Sequence, residues 1–169
     1  MANHKDKKVM IFVDGSNLFW ACKRYGKREN EEFRINIDKF IDHHVKGRDY
    51  IRTYWYVSTK TPPLVKQEGF YKHLEHNGVV VKKKPLVEGK EKGIDVWLVV
   101  DLLCFGFRGA YDVAVVYSED RDMCSAYDEV RNLGLRIEVT ALNGDYNPEI
   151  LRHCDVFTPF DDYAKYVKK

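Results

Sequence analysis

An α/β sandwich of three layers, built on a mainly parallel sheet, is the fold class that this sequence predicts. Three observations point to it. The apolar run Val9-Met10-Ile11-Phe12-Val13 stops at an acid, Asp14. A second run rich in β-branched residues, Val113-Ala114-Val115-Val116-Tyr117, leads into Asp120 and Asp122. Runs of this kind suit strands covered on both faces. Strand-like and helix-like patterns also alternate along the chain, as βαβ units with right-handed crossovers require. A doubly wound sheet places its first strand beside its fourth, and ligands gather outside the carboxyl ends at that reversal point. Here those strands are the ones ending at Asp14 and Asp120.

The elements follow in order. After Asp14, Gly15 provides a turn, and Ser16 or Asn17 caps a helix that continues to Gly26, which is expected to close it. Residues 27–32 form a charged loop. Asn36 caps a helix through Ile37, Phe40, Ile41 and His44, ending at Gly47. The aromatic and β-branched stretch 50–58 reads as a strand. Pro62 and Pro63 precede a helix from Leu64 to Gly78, with Gly69 as a weak point. Val79-Val80-Val81 is a short strand followed by the basic run Lys82-Lys83-Lys84 and a loop over 86–92. Gly93-Ile94-Asp95 opens a long apolar helix that ends between Gly106 and Gly109 and should be buried on most sides. From Asp122, Met123, Ala126, Tyr127, Val130 and Leu133 recur at helical spacing, with Gly134 as the stop. Residues 135–141 alternate as a strand, Asn147-Pro148 starts a helix, and Asp155-Val156-Phe157 forms a last short strand.

Length and composition bound the rest. A chain of 169 residues suits one domain over 1–169, with polar ends at 1–8 and 161–169, the latter weakly helical. At 44% hydrophobic and 32% charged residues it is globular rather than disordered. No apolar run approaches the roughly 20 residues of a membrane helix, so no membrane partner is expected, and the polar N-terminus points to the cytoplasm. Cys22, Cys104, Cys124 and Cys154 lack zinc-ligand spacing. The histidine pairs His43/His44 and His73/His76 read as helix surface.

Carboxylates carry the chemistry. If the two acid-ended strands are neighbours, Asp14, Asp120 and Asp122 converge, and Asp95, in the first turn of the apolar helix, is the natural fourth. The plain alternative for Asp120 and Asp122 is one helix cap and one solvated acid. Oxygen ligands of this kind suit Mg²⁺ or Mn²⁺, and such a site suits cleavage of a phosphodiester. Asp101 lies about 240° round the helix from Asp95 and should pair with something else. Lys82, Lys83 and Lys84 follow a strand and fit RNA phosphates, unless they are a solvated edge. Tyr25, Tyr54, Trp55 and Tyr56 offer stacking faces, unless they are core. Phosphate-binding loops, dinucleotide fingerprints and nucleophile elbows are absent.

On the residues Val-Asp14-Gly-Ser-Asn17-Leu, Lys92-Gly93-Ile94-Asp95-Val with Asp101-Leu-Leu, and Tyr111-Asp112 through Ser118-Glu119-Asp120-Arg121-Asp122, the chain resembles the NYN domain family, a PIN-like nuclease group, and within it the LabA-like branch. The resemblance implies a parallel-sheet PIN-like fold and metal-dependent ribonuclease activity. It implies Asp14, Asp95, Asp120 and Asp122 as catalytic, metal-binding acids and Asn17 as a supporting polar group, with Asp112 structural. RNA is the implied partner, and a homodimer is left open. The family's Ser-Gly-Asp-Ser-Asp-Phe reads Ser118-Glu119-Asp120-Arg121-Asp122-Met123 here. Glu119 either turns away from the acids or alters metal affinity. The competing function is an RNA-binding or regulatory module with the same fold. A haloacid-dehalogenase-type phosphatase would need an acid where Ser16 stands.

Overall fold

A computed structural model describing residues 7–169 contains six strands and seven helices. In chain order they are β1 (Lys8–Asp14), α1 (Gly15–Arg28), α2 (Ile37–Val45), β2 (Asp49–Thr59), α3 (Val65–His76), β3 (Val80–Pro85) and α4 (Ile94–Phe107). There follow β4 (Val113–Tyr117), α5 (Cys124–Asn132), β5 (Arg136–Ala141), α6 (Ile150–His153), β6 (Val156–Pro159) and α7 (Phe160–Val167). The strands form one sheet in the order β3-β2-β1-β4-β5-β6, and every pairing is parallel. The chain first winds outward from β1 to β3, crosses back through α4 to β4, and then winds outward to β6. The crossing puts β1 beside β4, with Val13 opposite Tyr117.

Alternation along the central strands divides the core between two layers. Val9, Ile11 and Val13 pack with Leu18, Phe40, Leu74 and Tyr163, from α1, α2, α3 and α7. Met10 and Phe12 pack with Leu98, Leu102, Tyr127 and Val130, from α4 and α5. With both faces covered, β4 is buried from end to end. Each large side chain removed from water in this way contributes roughly 1.5–3 kcal/mol. Asp112 has a structural place at the opposite edge, where its carboxylate accepts the Lys8 N–H at 2.8 Å.

Several boundaries and burials differ from the sequence reading, each for a packing reason. Gly26 does not close α1, which continues to Arg28. A Cβ on Gly26 would lie 2.6 Å from the Glu31 carbonyl oxygen, so the glycine serves close approach of the following loop. The basic run belongs to β3, paired with β2 from Tyr56↔Lys82 to Ser58↔Lys84. His44 is buried at the α2–α7 contact, against Phe40 and Tyr163, rather than on the surface. Burial holds its pKa well below the ordinary histidine value. Residues 161–169 are more than a polar tail, because Tyr163, Ala164 and Val167 of α7 enter the core. Helix α4, apolar all round, leaves Val96, Val100 and Phe107 exposed. Of the polar N-terminal stretch, residues 1–6 lie outside the described residues.

Candidate active site at the carboxyl edge of the sheet

The carboxyl ends of β1 and β4 form the edge where the winding reverses. Asp14 is the last residue of β1 and the N-cap of α1. Its Oδ1 accepts the Asn17 N–H at 3.0 Å, and its Oδ2 accepts from Asn17 Nδ2 at 2.5 Å. Gly15 makes this turn close against the sheet. A Cβ there would fall 2.3 Å from Trp55 Nε1 and 2.8 Å from the Tyr56 carbonyl oxygen. Alternation directs Asp14, like Met10 and Phe12, toward the α4/α5 layer. Burial pushes its carboxyl up to about 6, with the nearby charge of Glu91 adding to the rise and hydrogen bonds from Asn17 opposing it. Asp14 takes part in no ion pair among the described residues.

Beyond β4 the chain turns through Ser118 and Glu119 into a 3-10 turn, Arg121–Met123, that leads into α5. Asp120 caps that turn by accepting the Asp122 N–H at 2.9 Å, and its own N–H donates to Ser118 Oγ at 3.2 Å. Asn17 joins the two strand ends, because its Oδ1 accepts the Glu119 N–H at 3.2 Å. Glu119 stands where the resemblance leads one to expect glycine, yet its φ is not positive, so the backbone tolerates it. Its side chain turns to α1 and receives Arg24 Nη2 at 2.8 and 2.9 Å; Arg24 also pairs with Asp145. Burial nonetheless raises the Glu119 carboxyl to about 7, against the opposing pull of Arg24.

The four acids singled out by sequence are placed unequally. Asp14 ends β1, and Asp120 caps the turn that follows the adjacent β4. Asp95 is exposed in the first turn of α4, and the Asp122 side chain is 83% exposed beyond the 3-10 turn. Among the described residues, no three Asp, Glu, His or Cys side chains converge into a ready-made metal cage. Asp101 pairs elsewhere, as its position on α4 suggested: it accepts from Tyr56 Oη at 2.8 Å and from Lys82 Nζ at 2.5 Å.

The basic run is divided by strand alternation. Lys82 and Lys84 face α4, where both ammonium groups lie over Trp97, at 4.9 and 5.2 Å from the ring centre. Lys84 also donates to the Gly93 carbonyl at 3.0 Å. Lys83 faces α3, between Glu68 and Glu75 and over Tyr71. Of the proposed stacking rings, Tyr25, Trp55 and Tyr56 are buried core, and Tyr54 is packed among Phe12, Tyr56 and Phe105. The exposed rings near the edge are Phe19 and Trp20 of α1. Helical spacing held the signal for them, since both fall off the buried face made by Leu18, Ala21, Cys22 and Tyr25.

Fold and edge together define a doubly wound α/β domain whose acids sit at the strand-order reversal. The NYN domain model matches residues 8–161, so the chain belongs to the NYN domain family, whose members have a nuclease-like, PIN-like fold. It is 25% identical over 175 residues to the low amplitude and bright protein LabA of Synechococcus elongatus, covering 98% of this chain and 90% of LabA. A crystal structure of a protein of unknown function from Vibrio parahaemolyticus has the same fold. It superposes with a TM-score of 0.79 at 18% identity, over 96% of this chain and 98% of the other.

Proposed function

We propose that this NYN domain is a metal-dependent ribonuclease that cuts RNA at the carboxyl edge of β1 and β4. The observation that carries the reading is Asp14, a buried carboxyl without an ion-pair partner among the described residues, at the strand-order reversal beside the strand that leads to Asp120. A carboxyl kept from water in this way favours a cation brought to it. The donor set suits Mg²⁺ or Mn²⁺. Such ions are bound through one or two carboxylates, keep several waters and take substrate phosphate oxygens, so they need no all-protein cage. Asp14 and Asp120 are the inner ligands, and Asp95 and Asp122 extend the acidic rim from the starts of α4 and α5.

When bound, the metal supplies an activated water and stabilises the leaving oxygen. The chain's own groups prepare that chemistry. Asn17 fixes the plane of the Asp14 carboxylate and ties it to the β4 end, so the two acids move as one unit. Each Asp14 oxygen retains acceptor capacity beyond its single bond to Asn17. Arg24 draws Glu119 aside, which keeps that extra carboxylate from closing over Asp14. Lys82 and Lys84, on the same side of the sheet as Asp14, offset the negative potential that an RNA strand meets as it approaches.

The second reading, an RNA-binding module without useful cleavage, is favoured by the absence of three converging acids among the described residues. Incubating the full chain with labelled single-stranded RNA and either Mn²⁺ or Mg²⁺ separates the two. Cutting that disappears in Asp14→Asn and Asp120→Asn, while RNA binding persists, is the expected result. The loss should exceed about 100-fold, beyond the 10–100-fold cost typical of a residue that acts behind a metal ligand. No cutting with either ion, or cutting unchanged in both variants, overturns the nuclease reading.

A further inference from the structure

A cleft of about 470 Å³ opens beside the acidic edge, between α1, the end of β2, α3 and the loop after β3. Its size falls in the roughly 300–1,000 Å³ range of small-ligand pockets. Asn17 lines it while also holding Asp14, so the cleft begins at the residue next to the proposed cutting point. Trp20 forms one side and is 58% exposed, with Phe19 packed edge-to-face on it at 5.3 Å between ring centres. An indole this open to water, beside a cleft, offers a flat π-face on which a planar group can stack.

The charges in the cleft indicate what that partner is. Glu119 is answered by Arg24, and Glu91 accepts the Ser16 hydroxyl. Arg24 is itself committed to Glu119 and Asp145. Among the described residues that line it, the interior therefore presents no free cation to hold a phosphate, and the remaining one, Lys60, is exposed. What remains, apart from the Glu91 carboxylate, which repels a phosphate, is neutral and directional. The Gln67 amide at the lining offers both donor and acceptor. A π-face on one side and a hydrogen-bonding amide on the other match the flat, edge-polar shape of a nucleobase, whereas a phosphate has no use for the π-face.

We propose that this cleft receives one unpaired nucleobase of the RNA, stacked on Trp20, next to the phosphodiester held at Asp14. The proposal rests on the nuclease reading and makes the substrate single-stranded, because a base within a duplex has no free face to stack.

The test is binding of the full chain to fluorescein-labelled oligouridine and oligoadenine, and to a duplex of equal length, in chelator so that nothing is cut. Trp20→Ala should weaken single-strand binding by about 5- to 150-fold, the range for losing one base–aromatic stack. Duplex binding should be unchanged, and Trp20→Phe should restore most of the single-strand affinity. Trp20 lies outside the core, and an unchanged melting temperature confirms that the variant is folded. Single-strand binding unaffected by Trp20→Ala, or an equal loss on duplex, overturns the proposal. Parallel cleavage assays in Mn²⁺ keep the two readings apart. A parent protein that cuts RNA, beside a Trp20→Ala variant with unchanged binding, removes the pocket and leaves the nuclease. A parent that never cuts, beside a Trp20→Ala variant that loses single-strand binding, removes the nuclease and leaves the pocket.

Discussion

Asn17 donates through Nδ2 to Oδ2 of Asp14 at 2.5 Å, and its backbone N–H donates to the other oxygen of the same carboxylate. One residue thus orients the acid that caps its own helix and, through Oδ1, holds the Glu119 N–H beyond the end of the neighbouring strand. Sequence alone marked Asn17 only as a cap or a supporting group. Its bridging role depends on β1 and β4 being adjacent.

Asn17→Ala should therefore affect stability and activity together. It leaves the Glu119 N–H and one Asp14 oxygen without their partner in a half-buried setting, which costs about 1–3 kcal/mol. Urea unfolding at neutral pH reads that loss. Asn17→Asp keeps an acceptor for Glu119 but sets a second carboxylate against Asp14, and should recover less stability than an isosteric replacement normally does. A variant Asn17→Ala as stable as the parent would mean that the bridge is not formed in solution.

The Asp14 carboxyl gives a signed pH dependence in the metal-free protein. Its pKa rises from 3.8 to about 6 on folding, chiefly through burial. Between those values the folded state binds more protons than the unfolded state, so this group makes stability fall as pH rises from about 4 to about 6. Above pH 6 the full cost is present, at most about 3 kcal/mol at 1.36 kcal/mol per unit. Asp14→Asn should remove that slope and melt higher than the parent at pH 7.5 without metal. Mn²⁺ or Mg²⁺ should raise the parent's melting temperature more at pH 7.5 than at pH 5, since the proton competes with the ion. Asp14→Asn should lose that gain, and an equal gain in the variant would place the ion elsewhere.

The basic run should separate by face. Lys84→Ala should lower the slope of RNA affinity against salt by about one, as expected for one phosphate contact. Lys83→Ala, on the α3 side with Glu68 and Glu75, should leave the slope unchanged. Lys82→Ala should also cost stability, because it leaves the half-buried Asp101 carboxylate with only Tyr56. Affinities measured across a salt series for the three variants check this, and equal slopes in all three would return the run to a solvated edge.

What the sequence determined by itself is the architecture and its acidic edge. Two β-branched runs ending in acids, and strand and helix periods alternating between them, were enough for a parallel doubly wound sheet with Asp14 and Asp120 at its reversal point. Those signals are local, because strand burial and helix capping are written in neighbouring residues. Tertiary structure decided which polar groups meet. Arg24, 95 residues before Glu119, pairs with that acid from α1. Lys82 answers Asp101 across the α4 layer, and alternation within β3 sends Lys83 to the other face. Buried His44 and exposed Trp20 were settled by which helix faces the sheet left to be covered. Side-chain partners of this kind depend on distances between elements far apart in the chain, and no period or spacing along the sequence encodes them.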